Sequence, residues 1–128
     1  MSLRRYSSDD ENRHCICFLG GLSAVAELLQ CDFQKFDNRA DESHSDIRVC
    51  ACMILTNLSY GDGVNKALLC SSQSFLECLT NLLQASSEEL RLNASAVIRN
   101  ISWRADVASK HALREAKVCD NSIIISFL

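Results

Sequence analysis

The sequence predicts an all-α fold of stacked helical repeats, and three observations carry that prediction. One apolar pattern occurs twice in the same register, 43 positions apart: Ile47, Ala51, Ile54, Leu55 and Leu58 correspond to Leu90, Ala94, Val97, Ile98 and Ile101. The polar residues keep the register too, Arg48 with Arg91, Asn57 with Asn100, Ser59 with Ser102, and Tyr60 with Trp103. No proline interrupts the chain, so its helices can run unbroken. A helical period of roughly 40–47 residues is the signature of armadillo and HEAT solenoids, in which each unit exposes an apolar face that only its neighbours cover.

Within each cycle the helices read short, medium, long. That is the three-helix armadillo plan rather than the two-helix HEAT plan. The expected fold is therefore an armadillo-type α-solenoid, a right-handed superhelix of about two and a half three-helix repeats.

The elements follow in order. Residues 1–10 are polar and read as a disordered or partial lead-in, with Arg4-Arg5-Tyr6-Ser7 a chance likeness to a basophilic kinase site. Asp10 to Phe18 is a short helix closed by Gly20-Gly21 in a tight turn. Leu22, Val25, Ala26, Leu28 and Leu29 give helical spacing up to Gln30. Residues 31–45 are polar and mixed in charge, and read as a surface loop insertion within a repeat segment spanning 11–117. The first long helix covers about Ser45 to Ser59 and ends at a Gly61-Asp62-Gly63 turn.

The second cycle has a short helix from Val64 to Cys70 and a second from about Ser74 to Gln84, with Phe75, Leu76, Leu79, Leu82 and Leu83 as its apolar face. Ser86-Ser87-Glu88-Glu89 opens the next long helix: a serine cap, then carboxylates in the first turn where the helix dipole favours them. That helix runs to Trp103, and Val107 to Ala116 opens a third cycle. Residues 118–128 form a divergent tail, β-branched and too short for the next helix. Exposed, its Ile123-Ile124-Ile125 run is an association liability.

Composition bounds the function. At 128 residues the chain suffices for one ordinary domain. A net charge of −3 provides no basic field for nucleic acid or an anionic membrane surface. No apolar run approaches the roughly 20 residues of a membrane span, and residues 1–10 lack the apolar core of a secretion signal.

Of eight cysteines, Cys15, Cys50, Cys52, Cys70 and Cys78 sit among apolar residues, as small buried hydrophobes do. The pairs Cys15/Cys17 and Cys50/Cys52 diverge by about 200° on a helix, a poor geometry for one zinc ion. Reduced structural cysteines are the leading reading, with a metal site or disulfides as the alternatives. His14, His44 and His111 have no matching carboxylate or cysteine pattern nearby. The sequons at Asn57, Asn93 and Asn100 fall inside predicted helices and read as accidental. No catalytic or phosphate-binding motif occurs, so neither an enzyme nor a cofactor is expected.

With the core stripe of the second long helix fixed, Arg99 and Trp103 fall on its opposite face, one turn apart. Thr56 and Tyr60 occupy the equivalent outward positions in the first long helix, and Asn57 and Asn100 lie at the edges between core and surface. Trp, Tyr and Arg are the residues enriched at interface hot spots. An asparagine repeated once per unit makes a ladder of amides able to hold the backbone of an extended peptide. Lys66, Arg99 and Arg104 add positive charge, which favours an acidic or carboxylate-bearing segment. The plainer alternatives are that the asparagines bond a neighbouring helix end, that Trp103 packs against the adjacent repeat, and that the cations are solvated.

Three stretches, ENRHCICFLGGLSAVAELLQ (11–30), ILTNLSYGDGVNKALLC (54–70) and VIRNISWRADVASKHALREA (97–116), resemble the armadillo domain of the adenomatous polyposis coli (APC) family. The likeness covers roughly residues 6–117; it departs in the 31–45 segment and ends after Lys117. It implies a cytoplasmic, cytoskeleton- or cortex-associated protein-binding scaffold in a negative regulator of Wnt/β-catenin signalling. Guanine-nucleotide exchange factors, membrane-recruiting adaptors and kinesin-associated proteins are the implied partners. It further implies that Asn57, Lys66, Arg99, Asn100 and Trp103 belong to a peptide-binding groove, which Tyr60 and Arg104 adjoin. The family's β-catenin-binding segments lie outside this domain, so no β-catenin contact is assigned to these residues. The competing reading is an incomplete structural piece of an array with no ligand of its own.

Overall fold

The computed structural model describes residues 10–37, 42–60 and 63–116. The lead-in, part of the 31–45 segment, most of the Gly61-Asp62-Gly63 turn and the tail lie outside them. Among the described residues there are seven helices and no strand: α1 (Asp10–Phe18), α2 (Gly21–Phe36), α3 (Glu42–Leu58), α4 (Gly63–Cys70), α5 (Gln73–Leu82), α6 (Glu88–Ser102) and α7 (Val107–Glu115).

Local chemistry sets the boundaries. After α1 the chain bends at Gly20, whose φ of +85° lies in the left-handed region that glycine occupies without penalty. Gly21 is required for a different reason. A Cβ there would collide with the Ile16 side chain and lie 2.8 Å from the Ile16 carbonyl oxygen, so α2 meets α1 only because that position is bare. Ser72, Ser87 and Asp106 cap α5, α6 and α7, their side chains accepting from Phe75, Leu90 and Ser109 N–H groups at 3.3, 3.2 and 2.7 Å.

The apolar stripes merge into one core running from α2 to α7, with Leu22, Leu29, Leu55, Leu58, Phe75 and Ile98 among its fully buried members. The two long helices α3 and α6 pack closely against each other, α2 packs against α3, and α5 packs against α2, α4 and α6. Ala51, Ile54, Leu55 and Leu58 are buried like their counterparts in α6. Ile47, expected in that stripe, is instead 48% exposed, while its counterpart Leu90 is 3% exposed.

The expected surface insertion at 31–45 is largely helical. α2 continues through Phe36, and α3 already begins at Glu42. Two of the charged side chains there, Asp32 and His44, pair with each other and with Arg48. Arg48, only 2% exposed, donates from Nε to Asp32 Oδ2 at 2.6 Å, and His44 Nδ1 lies 2.9 Å from Asp32 Oδ1. The Phe36 and His44 rings meet in a tilted contact with centroids 4.1 Å apart, and Arg48 lies 5.4 Å over Phe33. The carboxylate partner of His44 is thus twelve residues away along the chain, beyond the reach of a local motif.

Cys52, Cys70 and Cys78 are buried, as expected, but Cys15 is exposed and Cys50 half-buried; all seven described cysteines are free thiols. Burial pushes the Cys52 and Cys78 thiols up to about 12, which suppresses thiolate chemistry.

Two consequences are measurable. Gly21→Ala should lower unfolding stability by about 1–3 kcal/mol in urea melts, through overpacking against Ile16. Burial raises the Asp32 pKa, but hydrogen bonds from Arg48 and then His44 outweigh it and leave the group below its ordinary value. A depressed carboxyl stabilises the fold above its unfolded pKa and loses that contribution as pH falls through the folded one. Stability should therefore drop below about pH 4, and Asp32→Asn should flatten that part of the pH–stability curve.

Candidate peptide-binding edge

The residues expected at the site gather at the C-terminal ends of the two long helices, with Lys66 of α4 beside them. These ends lie side by side, because Asn100 Nδ2 of α6 donates to the Thr56 carbonyl of α3 at 2.9 Å. Tyr60 and Trp103 follow the two helices at equivalent positions. Tyr60 is 67% exposed and Trp103 48%, large areas for aromatic rings.

Each ring has cations beside it. Arg104 lies 4.5 Å and Lys66 Nζ 5.0 Å from the Trp103 ring centroid, and the Arg13 guanidinium lies 5.7 Å from that of Tyr60. Arg104 takes a left-handed φ of +53°, an uncommon conformation for a non-glycine residue. Arg99 is exposed in the last turn of α6. Among the described residues neither the Arg99 nor the Arg104 side chain forms an ion pair, and the Trp103 indole N–H and Asn100 Oδ1 make no hydrogen bond. These groups offer donors, an acceptor and positive charge on one edge.

Two expected ligand contacts have structural roles. Lys66 is only 7% exposed, and its ammonium donates to the Trp103 carbonyl at 3.1 Å. It is not the exposed cation its charge suggests, because the short helix α4 points it at the end of α6. Asn100 uses its amide first to join α6 to α3. Asn57, its counterpart, is half-buried at the edge of α3, and the outward position expected for Thr56 is half-buried, its hydroxyl donating to the Cys52 carbonyl at 2.8 Å.

Sequence reasoning missed Arg13, which α1 brings over Tyr60, and Asn65, which donates to the Leu58 carbonyl at 3.1 Å and reaches Cys17 Sγ at 3.0 Å. Asn65 adjoins Lys66 on a helix whose apolar residues had drawn the attention. Among the described residues no three His, Cys, Asp or Glu side chains converge as a metal site. No single described helix is long and apolar enough to cross a membrane.

No protein-family model matches the chain. It is 47% identical over 113 residues to the adenomatous polyposis coli homolog of Xenopus laevis and 46% identical over 113 residues to the adenomatous polyposis coli protein of Homo sapiens, 88% of this chain in each case. It is also 34% identical over 111 residues, 84% of the chain, to APC-related protein 1 of Caenorhabditis briggsae. The chain belongs to the adenomatous polyposis coli family. It spans only 4% of the length of the two vertebrate relatives and 9% of the nematode protein. This APC-family segment carries its exposed aromatic and basic groups at the C-terminal ends of α3 and α6.

Lys66→Met keeps the aliphatic stem and deletes the ammonium. It should cost about 1–3 kcal/mol by leaving a helix-end carbonyl unpaired. It should also raise acrylamide quenching of Trp103, the only tryptophan in the chain.

Proposed function

We propose that this segment is part of an armadillo-type right-handed solenoid whose inner edge binds extended, acidic peptide segments of signalling and cytoskeletal partners. The protein is read as a cytoplasmic, APC-like negative regulator of Wnt/β-catenin signalling. The observation that carries the reading is the recurrence of one arrangement on successive units. An exposed aromatic with a cation beside it closes each long helix, Tyr60 with Arg13 and Trp103 with Arg104 and Lys66.

Such stations suit a ligand that runs across the units. The rings supply apolar area at low entropic cost, while Arg99 and Arg104 attract carboxylates. Asn100 Oδ1 can accept from a peptide N–H while Nδ2 stays on Thr56, so the amide serves the stack and the ligand together. Asn57, Lys66, Tyr60, Arg99, Asn100, Trp103 and Arg104 form the proposed site, with Lys66 holding Trp103 from below.

A second reading has its own support: Lys66 and Asn100 both spend donors on main-chain carbonyls, as a purely structural segment requires. Fluorescence anisotropy separates the two, using labelled Glu/Asp-rich extended peptides against the same peptides carrying Gln and Asn. The acidic set should bind more tightly, and Trp103→Ala and Asn100→Ala should each weaken it by about 2 kcal/mol, roughly thirtyfold. Undiminished affinity in both variants overturns the site, and no binding by a folded chain favours the structural reading.

A further inference from the structure

The register of 43 residues also relates the short helices α4 and α7, and the two differ where each meets the short helix before it. Asn65 of α4 reaches across to Cys17 Sγ of α1 at 3.0 Å, and Leu69 is 3% exposed. Their counterparts on α7 are Ala108 and Ala112, and the counterpart of Lys66 is Ser109. Three larger side chains are thus replaced by small ones where α7 faces α4. The space they leave is a cleft of about 240 Å³, against the roughly 10–15 Å³ that admits one water. A carboxylate is gained at the same place, since Asp106 stands where Gly63 stands in the unit before.

Cys70 and Ser109, 2% and 5% exposed, form the floor of the cleft, and Asp106 is exposed at its rim. Ala67, Ala108 and Ala112 supply apolar walls. Asp106 Oδ1 accepts from the Ser109 N–H at 2.7 Å, a bond that holds the carboxyl below its ordinary value. Among the described residues no cation pairs with it. The last turn of α4, which contributes Ala67 and Cys70, favours positive charge as well. We propose that this cleft receives an arginine side chain of a partner protein, its aliphatic stem along the three alanines and its guanidinium at Asp106. Apolar walls ending at a single carboxylate match that side chain in shape and charge. Arginine suits the cleft better than lysine, because its planar fork can bond Asp106 and the amide oxygen of Gln73, which also lines it, at the same time. The cleft is made by the small residues that line it and not by a missing neighbour. It is independent of the acidic peptide proposed beside Trp103.

Amide proton–nitrogen correlation spectra of the whole chain test it, titrated with a blocked glycine–arginine–glycine tripeptide. The citrulline analogue, alike in shape but neutral, is the control. The arginine peptide should shift the amides around Ala108 and Ala112 saturably, and the citrulline peptide should bind roughly threefold more weakly. Asp106→Asn keeps a capping side chain and should erase that preference. Ala108→Asn and Ala112→Leu restore the residues α4 carries at these positions. Each should abolish the saturable shifts while the helical circular dichroism is retained, and should one of them unfold, the other decides. The proposal is overturned by a wild type without such shifts, by equal affinity for the two peptides, or by binding that persists in a folded, refilled variant.

Discussion

Two adjacent side chains on the shortest helix hold the arrangement together. Asn65 and Lys66 of α4 reach two different helix ends, one to the Leu58 carbonyl that ends α3, the other to the Trp103 carbonyl just beyond α6. The last carbonyls of any helix lack intrahelical partners and carry the negative end of its dipole. An amide and an ammonium satisfy them here, and the ammonium is the better matched because its charge opposes that dipole. The long helices therefore end at fixed points relative to α4. Tyr60 and Trp103, which follow those ends directly, inherit that placement.

A buried lysine can thus belong to the proposed site without touching what that site would bind. The Lys66 ammonium gains a carbonyl and the face of the indole in exchange for most of its water. The indole is held where half of it remains in solvent. Arg104, in its left-handed conformation, brings a second cation to the same ring while leaving its own hydrogen-bond donors available. A rigid aromatic platform with unspent guanidinium donors beside it suits a carboxylate-bearing segment better than a neutral one, because the charge is already gathered before the ligand arrives.

Much of the fold was legible in the sequence because its signals were local or periodic. The register exposed both long helices, Gly20 marked the first turn, and the serine before Glu88 marked the start of α6. Three features were not legible, each for a reason of distance. Residues 31–45 read as a loop because Asp32, His44 and Arg48 look solvated until α2 and α3 fold back and neutralise them. The hint lay in Arg48 itself, an arginine set beside Val49, Cys50 and Ala51 and repeated as Arg91. Lys66 read as surface charge because nothing local shows that α4 faces a carbonyl 37 residues later. Ile47 read as core by its register with Leu90, but register does not show which side chains the packing of α3 covers, and it is 48% exposed.

The same logic bears on why one asparagine recurs at each unit's edge. A residue serving only the ligand would leave α3 and α6 free to slide against each other, and one serving only the stack would need no exposed atom. Asn100 serves the stack with Nδ2 on Thr56 while its carboxamide oxygen remains unspent. A peptide N–H bonded to that oxygen would polarise the same amide and strengthen its grip on α3. At the proposed site, binding across the units and cohesion between them would then be linked through one side chain, so a ligand spanning both long helices would stiffen the stack it lies on.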